Sequence, residues 1–371
     1  VINLNIRIPI SKPIIENEEI EAVVNVLKSG MLTRGKETEN FEKEFASYIG
    51  AKYSVSVMNG TIALEAALKA LGIKSGDEVI VPDFTFIATA NAVVNVGARP
   101  VFADIDEKTY CIDPESANEL ITGRTRAIIP VHLFGHPANM DAINEIAEDN
   151  RLLVLEDSAQ AHGAEIKGTK VGSLGHASAF SLYATKNMMT GEGGMVTTSI
   201  DSVYELLLKL RKHGEAKRYL SDMIGGNLFM TEMQAALGRV QLKKLDRWNE
   251  IRRSNAEFYK KKLSSVKEIT LPTEQPGYKH VYHQFVIRVP EKDRDKLIEH
   301  LNKKGIGTAI HYPYPLHDHP VYRAMGYPET LNPVAKQVAK EVLSIPVHPL
   351  LSKEDLEYIT TSILEYFEQG K

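Results

Sequence analysis

A chain of 371 residues, 43% hydrophobic and 25% charged, has a globular composition and is long enough for one large and one smaller domain. Its 44 basic and 48 acidic residues leave a net charge of −4, which gives no electrostatic footprint for nucleic acid or an anionic membrane. No apolar run approaches a membrane span, no charged segment with an apolar core opens the chain, and the single cysteine, Cys111, excludes an intrachain disulfide and suits a reducing cytoplasm.

Residues 1–15, with Pro9 and Pro13, read as an extended arm, followed by a large domain over 16–240 and a small one over 241–371. Short Val/Ile-rich runs then alternate with Ala/Leu/Glu-rich segments. The runs 53–57, 78–81, 99–102, 127–131, 152–155, 177–182 and 195–199 are predicted as strands, and 61–71, 87–96, 114–120 and 140–148 as helices between them. Strands apolar on both faces and separated by helices predict an α/β domain with a mostly parallel sheet covered on both sides. Ligands of such sheets bind beyond the carboxyl ends of the strands. After residue 200, helices are predicted over 204–212, 231–263, 294–304, 332–342 and 353–367, with strands at 269–271, 282–289 and 308–312. This second part reads as a smaller α+β domain.

The chemistry-bearing residues fall just after the apolar runs. Asn59-Gly-Thr61 follows the first strand and opens a helix, so the free amides there, Gly60 and the Thr61 hydroxyl form a phosphate cradle; an ordinary helix cap is the plainer reading. No G-x-G-x-x-G or G-x-x-x-x-G-K-[ST] pattern follows a strand, which disfavours dinucleotide and triphosphate cradles. Phe84 or Phe86, in Pro82-Asp-Phe-Thr-Phe-Ile-Ala-Thr89, could stack on a flat ring or simply pack in the core.

Asp157 ends the run 152–155, where a carboxylate can hold a pyridine nitrogen protonated, and Glu156 is expected on the opposite face. Asp-Ser alone is more often a turn or helix cap. Lys186, 29 residues on, ends a strand-like stretch and precedes a glycine-rich turn, Gly191-Glu-Gly-Gly194. Burial there would disfavour its ammonium form and make it a Schiff-base nucleophile, whereas most isolated loop lysines are simply solvated. The histidines of 311–319 show no established metal-ligand spacing, and no metal is expected. In conjunction, these pieces describe a site for a phosphorylated pyridine aldehyde.

The chain resembles the DegT/DnrJ/EryC1/StrS family of pyridoxal-phosphate-dependent nucleotide-sugar aminotransferases along its whole length. The resemblance is carried by Ile8-Pro9, Ser29-Gly-Met-Leu-Thr-Arg-Gly35 with Phe41-Glu42, Asn59-Gly-Thr61, Thr85-Phe-Ile-Ala-Thr89 and Glu156-Asp-Ser-Ala-Gln-Ala-His-Gly163. It continues in Lys186-Asn187, Gly191-Glu-Gly-Gly194, Arg211-Lys-His-Gly214, Asn227, Met230-Thr231, Gln234-Ala-Ala-Leu237 and His311-Tyr-Pro313. It implies an aspartate-aminotransferase-like (fold type I) large domain and pyridoxal 5′-phosphate as cofactor.

By the same resemblance, Lys186 would form the Schiff base and shuttle a proton, and Asp157 would pair with the pyridine nitrogen. Gln160 would hydrogen-bond the ring hydroxyl, Phe86 would stack on the ring, and Gly60, Thr61 and Ser181 would hold the phosphate. Asn227 would reach the phosphate from a neighbouring subunit, making the active unit a homodimer or larger. Thr33, His311 and Tyr312 would lie on the substrate side. The implied partners are L-glutamate with its product 2-oxoglutarate, and a 3- or 4-keto-hexose linked to a nucleotide.

One departure stands out. Many members read Gly-Tyr-Asn-Tyr-Arg-Met where this chain has Gly225-Gly-Asn-Leu-Phe-Met230, so Phe229 replaces an arginine. Dehydratase relatives carry histidine in place of Lys186, so the lysine favours transamination. The alternatives are a lyase or aldolase of the same fold, a non-catalytic cofactor-binding sensor, for whose usual DNA-binding module the length leaves no room, and a metal-dependent hydrolase.

Overall fold

The computed structural model describes residues 6–329 and 331–369; the first five residues of the expected arm lie outside them. A seven-stranded sheet forms the larger layer. From one edge to the other its strands are Tyr53–Val57, Gly194–Thr198, Ala177–Ser181, Leu153–Asp157, Thr125–Ile128, Glu78–Pro82 and Arg99–Ala103. Gly194–Thr198 pairs antiparallel with both neighbours, and every other pairing from Ala177–Ser181 outward is parallel. Six strands therefore end at the same edge of the sheet.

Strand side chains alternate between faces, and both faces are covered. Val79 and Val81 pack into the helical layer that holds Ala63, Leu68, Ala90 and Leu207. Ile80, between them, packs on the opposite face with Ile128, Val154, Met140 and Ile143. The expected alternation over 53–199 is thus realised, with element ends shifted by a few residues.

Two helices absent from the sequence reading, Asn17–Ser29 and Lys36–Ile49, pack against the long helix Glu232–Leu263. Both are rich in charge, and tertiary partners complete them. The carboxylate of Glu232 accepts the N–H groups of Glu37 and Thr38 at 2.9 and 3.0 Å, capping Lys36–Ile49 from far along the chain. Lys244 gathers Glu16, Glu18 and Glu19 at 2.8–2.9 Å.

The long helix starts with a reciprocal cap between Thr231 and Gln234 and runs unbroken past residue 240. Its far half joins a second core, in which Tyr259, Leu301 and Ile359 pack on the antiparallel pair Phe285–Arg288 and Val342–Ile345. Here the sequence reading needs correction. Segments 269–271 and 308–312 form single bridges, Thr270 with Arg288 and Ala309 with Ser344, rather than strands. Pro272 and Pro313, which lack an N–H to extend a ladder, follow each of them. The helix expected to reach Val342 ends at Glu341, and Val342 opens an unforeseen strand. Among the described residues, no helix is long and apolar enough to cross a membrane.

Candidate active site

Beyond the carboxyl edge of the sheet lies a cleft of about 470 Å³. Asn59, Gly60, Thr61, Phe86, Asp157, Gln160, Ser181, Lys186, His311 and Tyr312 all line it. Thr33 and Asn227 do not line it, and both are exposed. They lie in segments that touch each other, because Thr33 bridges Thr231 and Arg34 stacks on Phe229.

One wall is the start of helix Gly60–Ala70. The Asn59 side chain accepts the Ile62 N–H at 2.9 Å, which leaves the earlier amides at this helix end open toward the cleft. A side chain at Gly60 would meet Ser181, its Cβ falling 2.7 Å from the Ser181 Cβ. Gly194 is equally constrained, since a Cβ there would lie 2.3 Å from the Asn59 carbonyl oxygen. The two glycines let three strand ends converge on one cradle.

Asp157 is 5% exposed at the end of its strand. Its Oδ2 accepts the Thr89 hydroxyl at 2.8 Å and its Oδ1 the Ala159 N–H at 3.2 Å. Burial pushes this carboxyl above the usual range, while Thr89, Ala159 and the charge of Lys186 act against the rise. Glu156 faces the other way, as strand alternation predicts: it accepts from Gly172, Leu174 and Gly175 at 2.8 Å and pairs with His132 at 3.0 Å.

The Lys186 loop is held tightly at both ends. Leu182 N–H donates to Gly193 O and Thr190 N–H to Leu182 O, each at 2.8 Å. The neighbouring Asn187 amide donates to Asn249 Oδ1 at 2.8 Å and Val281 O at 3.1 Å. Burial lowers the Lys186 amine to about 8, and Asp157 opposes that fall. The ring of His311 is held by Ser344 at 2.8 Å and, through burial and then the charge of Lys186, is pulled down to about 4. It is therefore neutral at pH 7.

Phe86 is 54% exposed over the cleft, whereas Phe84 is fully buried against Phe134 and Tyr312, which separates the cleft aromatic from the core one. Gln160 is fixed at both ends: its Oε1 accepts the Phe134 N–H at 2.8 Å and its Nε2 donates to the Tyr312 hydroxyl at 3.0 Å. Thr89, Tyr183, Glu192 and His283 also line the cleft and were not foreseen. Thr85 and Thr89, four residues apart beyond a strand end, were the available signal for the Asp157 donor. In the histidine-rich segment, His317 is committed to buried Asp83, and the described residues hold no cluster of three or more metal-ligating side chains.

The cleft fits a phosphorylated pyridine aldehyde. It offers a cradle kept open by missing Cβ atoms, a buried carboxylate and an amine lowered to about 8 by burial. The family model of DegT/DnrJ/EryC1/StrS aminotransferases matches residues 13–364. The chain is 41% identical to dTDP-3-amino-3,4,6-trideoxy-alpha-D-glucose transaminase of Streptomyces venezuelae, over 94% of this chain and 92% of that protein. It superposes on the crystal structure of S. venezuelae DesV in complex with a ketimine intermediate with a TM-score of 0.92 at 41% identity, over 95% of each chain. A sugar aminotransferase of Streptococcus pneumoniae, solved in PLP and PMP forms, superposes with a TM-score of 0.93 at 30% identity, over 98% of this chain and 98–99% of that one.

Proposed function

Because this chain belongs to the DegT/DnrJ/EryC1/StrS aminotransferase family, we propose that it moves an amino group from L-glutamate to the ketone of a nucleotide-linked hexose. Its cofactor is pyridoxal 5′-phosphate. The observation that carries the reading is Lys186, an amine lowered to about 8 and facing the same cleft as the buried Asp157. When bound, the cofactor supplies an electron sink for the carbon that bears the transferred nitrogen.

The chain's own residues divide the remaining work. Lys186 would anchor the cofactor, and its amine would move the proton to and from the substrate carbon. Asp157 keeps the pyridine nitrogen protonated, and the Thr89 hydroxyl at 2.8 Å supports its charge. Gly60, Thr61 and Ser181 hold the phosphate, and Phe86 covers the ring. Gln160 retains one amide hydrogen beyond its bond to Tyr312, free for the ring hydroxyl. His311 and Tyr312 border the substrate space, with His311 neutral and able to accept a hydrogen bond.

Asn227 and Thr33 are exposed and do not line their own cleft, which supports a place for both in the cleft of a second copy. The active unit is then a homodimer or a larger assembly of the same pairs. The deciding experiment incubates the purified holoenzyme with L-glutamate and a panel of nucleotide keto-sugars, with products read by mass spectrometry. A mass change from ketone to amine on one sugar supports the reading. Glutamate turnover with no aminated sugar points to a lyase or aldolase instead, and no reaction in either half removes the transaminase assignment.

A further inference from the structure

A second, much smaller cavity of about 20 Å³ is bordered by residues 11–14 of the arm, by Thr185 and Lys186, and by Trp248 and Arg252 of the long helix. That space suits one particle about the size of a water molecule or a halide ion. Lys12, Lys186 and Arg252 line it, and among the described residues no Asp or Glu does. Arg252 is 6% exposed; among the described residues its Nη1 reaches only the carbonyls of Tyr282 at 3.3 Å and His283 at 3.4 Å, and its Nε has no partner.

Burial alone acts on the guanidinium and draws it down to about 10, with no carboxylate pulling it back. Close by, His348 keeps a buried, unpartnered Nδ1, and burial, followed by the charge of Arg252, lowers that ring to about 4. A buried cation without a counter-charge is strongly unfavourable. A water molecule in the cavity could not offset the charge.

We propose that this cavity is a resident site for one small monovalent anion, of chloride or bromide size, held by the guanidinium of Arg252 and assisted by Lys12. The site is independent of which sugar the enzyme aminates. Trp248, the only tryptophan in the chain, lines it and reports on its occupant.

The test titrates the holoenzyme with bromide at constant ionic strength, using gluconate as the bulky balancing anion, and follows tryptophan emission. Saturable quenching that chloride reverses is expected, with half-saturation raised about tenfold or more in Arg252→Gln and in Lys12→Ala. Circular dichroism checks the fold, and the exposed Lys12 variant decides the matter if Arg252→Gln does not fold. Quenching that rises linearly with bromide, ignores chloride or is unchanged in the folded variants overturns the proposal, because the cavity then holds only water or a carboxylate from a second copy. Reversal by L-glutamate but not by chloride also overturns it. The glutamate half-reaction of the same preparation is measured separately, so failure here is distinguishable from failure of the transaminase reading.

Discussion

The Thr89 hydroxyl donates to Oδ2 of Asp157 at 2.8 Å and is foremost among the groups that counter the effect of burial on this carboxyl. A hydrogen bond to a charged group contributes about 1.5–3 kcal/mol, equivalent to about one to two pH units. Thr89→Val should therefore raise the Asp157 pKa further, so that its charge is lost at a higher pH on acidification. The expected outcome is an acid limb of the kcat–pH profile displaced upward by about one unit. Thr89→Ser should restore the original limb; a profile identical in Thr89→Val and the parent refutes the role.

Lys186 links function to stability. Its amine is lowered from 10.5 to about 8 in the folded chain. The unfolded chain thus binds more protons between those values, and stability rises with pH through that window. The penalty is fully present below about 8 and disappears above the unfolded value. In the cofactor-free protein, Lys186→Met should stabilise by about 2 kcal/mol at pH 7, with the gain shrinking toward pH 10. Urea unfolding at the two pH values checks this, and an equal gain at both contradicts it. Lys186→Ala should meanwhile abolish turnover, measured as amino-sugar formation.

Subunit sharing can be tested by complementation. Lys186→Ala and Asn227→Ala should each be nearly inactive alone. Mixed dimers unite an intact lysine from one copy with an intact asparagine from the other, so activity should recover well above either parent. Recovery is assayed after co-expression with two distinct affinity tags. No recovery in a purified mixed dimer would place Asn227 outside the neighbour's site.

Phe229 lies under the guanidinium of Arg34 at 4.0 Å and that of Arg211 at 4.9 Å. Arg211 is itself fastened to the Ser56 carbonyl at 3.0 Å and paired with Glu42. Phe229→Ala should cost about 1–2 kcal/mol of stability through the two lost cation–π contacts. Phe229→Arg should cost more, because a third cation would join two existing ones. Thermal unfolding of both variants settles the order; a stabilising Phe229→Arg contradicts it.

The site was legible wherever a local pattern ended at a strand terminus. Asn59-Gly-Thr61, Asp157 and Lys186 each follow an apolar run, and the parallel sheet carries those ends to one edge. What escaped were partners brought in from elsewhere in the chain. Helix Lys36–Ile49 is completed by Glu232, and the strand Val342–Ile345 exists through its pairing with Phe285–Arg288. Neither partner leaves a mark in the local periodicity. The expected strands at 269–271 and 308–312 failed for the complementary reason, since strand-like composition cannot supply a partner for more than one bridge.

By itself, the sequence determined the alternation of strands and helices from 53 to 199 and which residue types stand at the strand ends, because side-chain periodicity is a local property. Tertiary structure alone decided the charge environment of those residues. Thr89, in the helix after one strand, meets Asp157 at the end of another, burial lowers Lys186, and Arg252 is enclosed with no carboxylate among the described residues lining its cavity. Desolvation and hydrogen-bond geometry depend on what packs around a group, and that is set only once distant segments have closed over it.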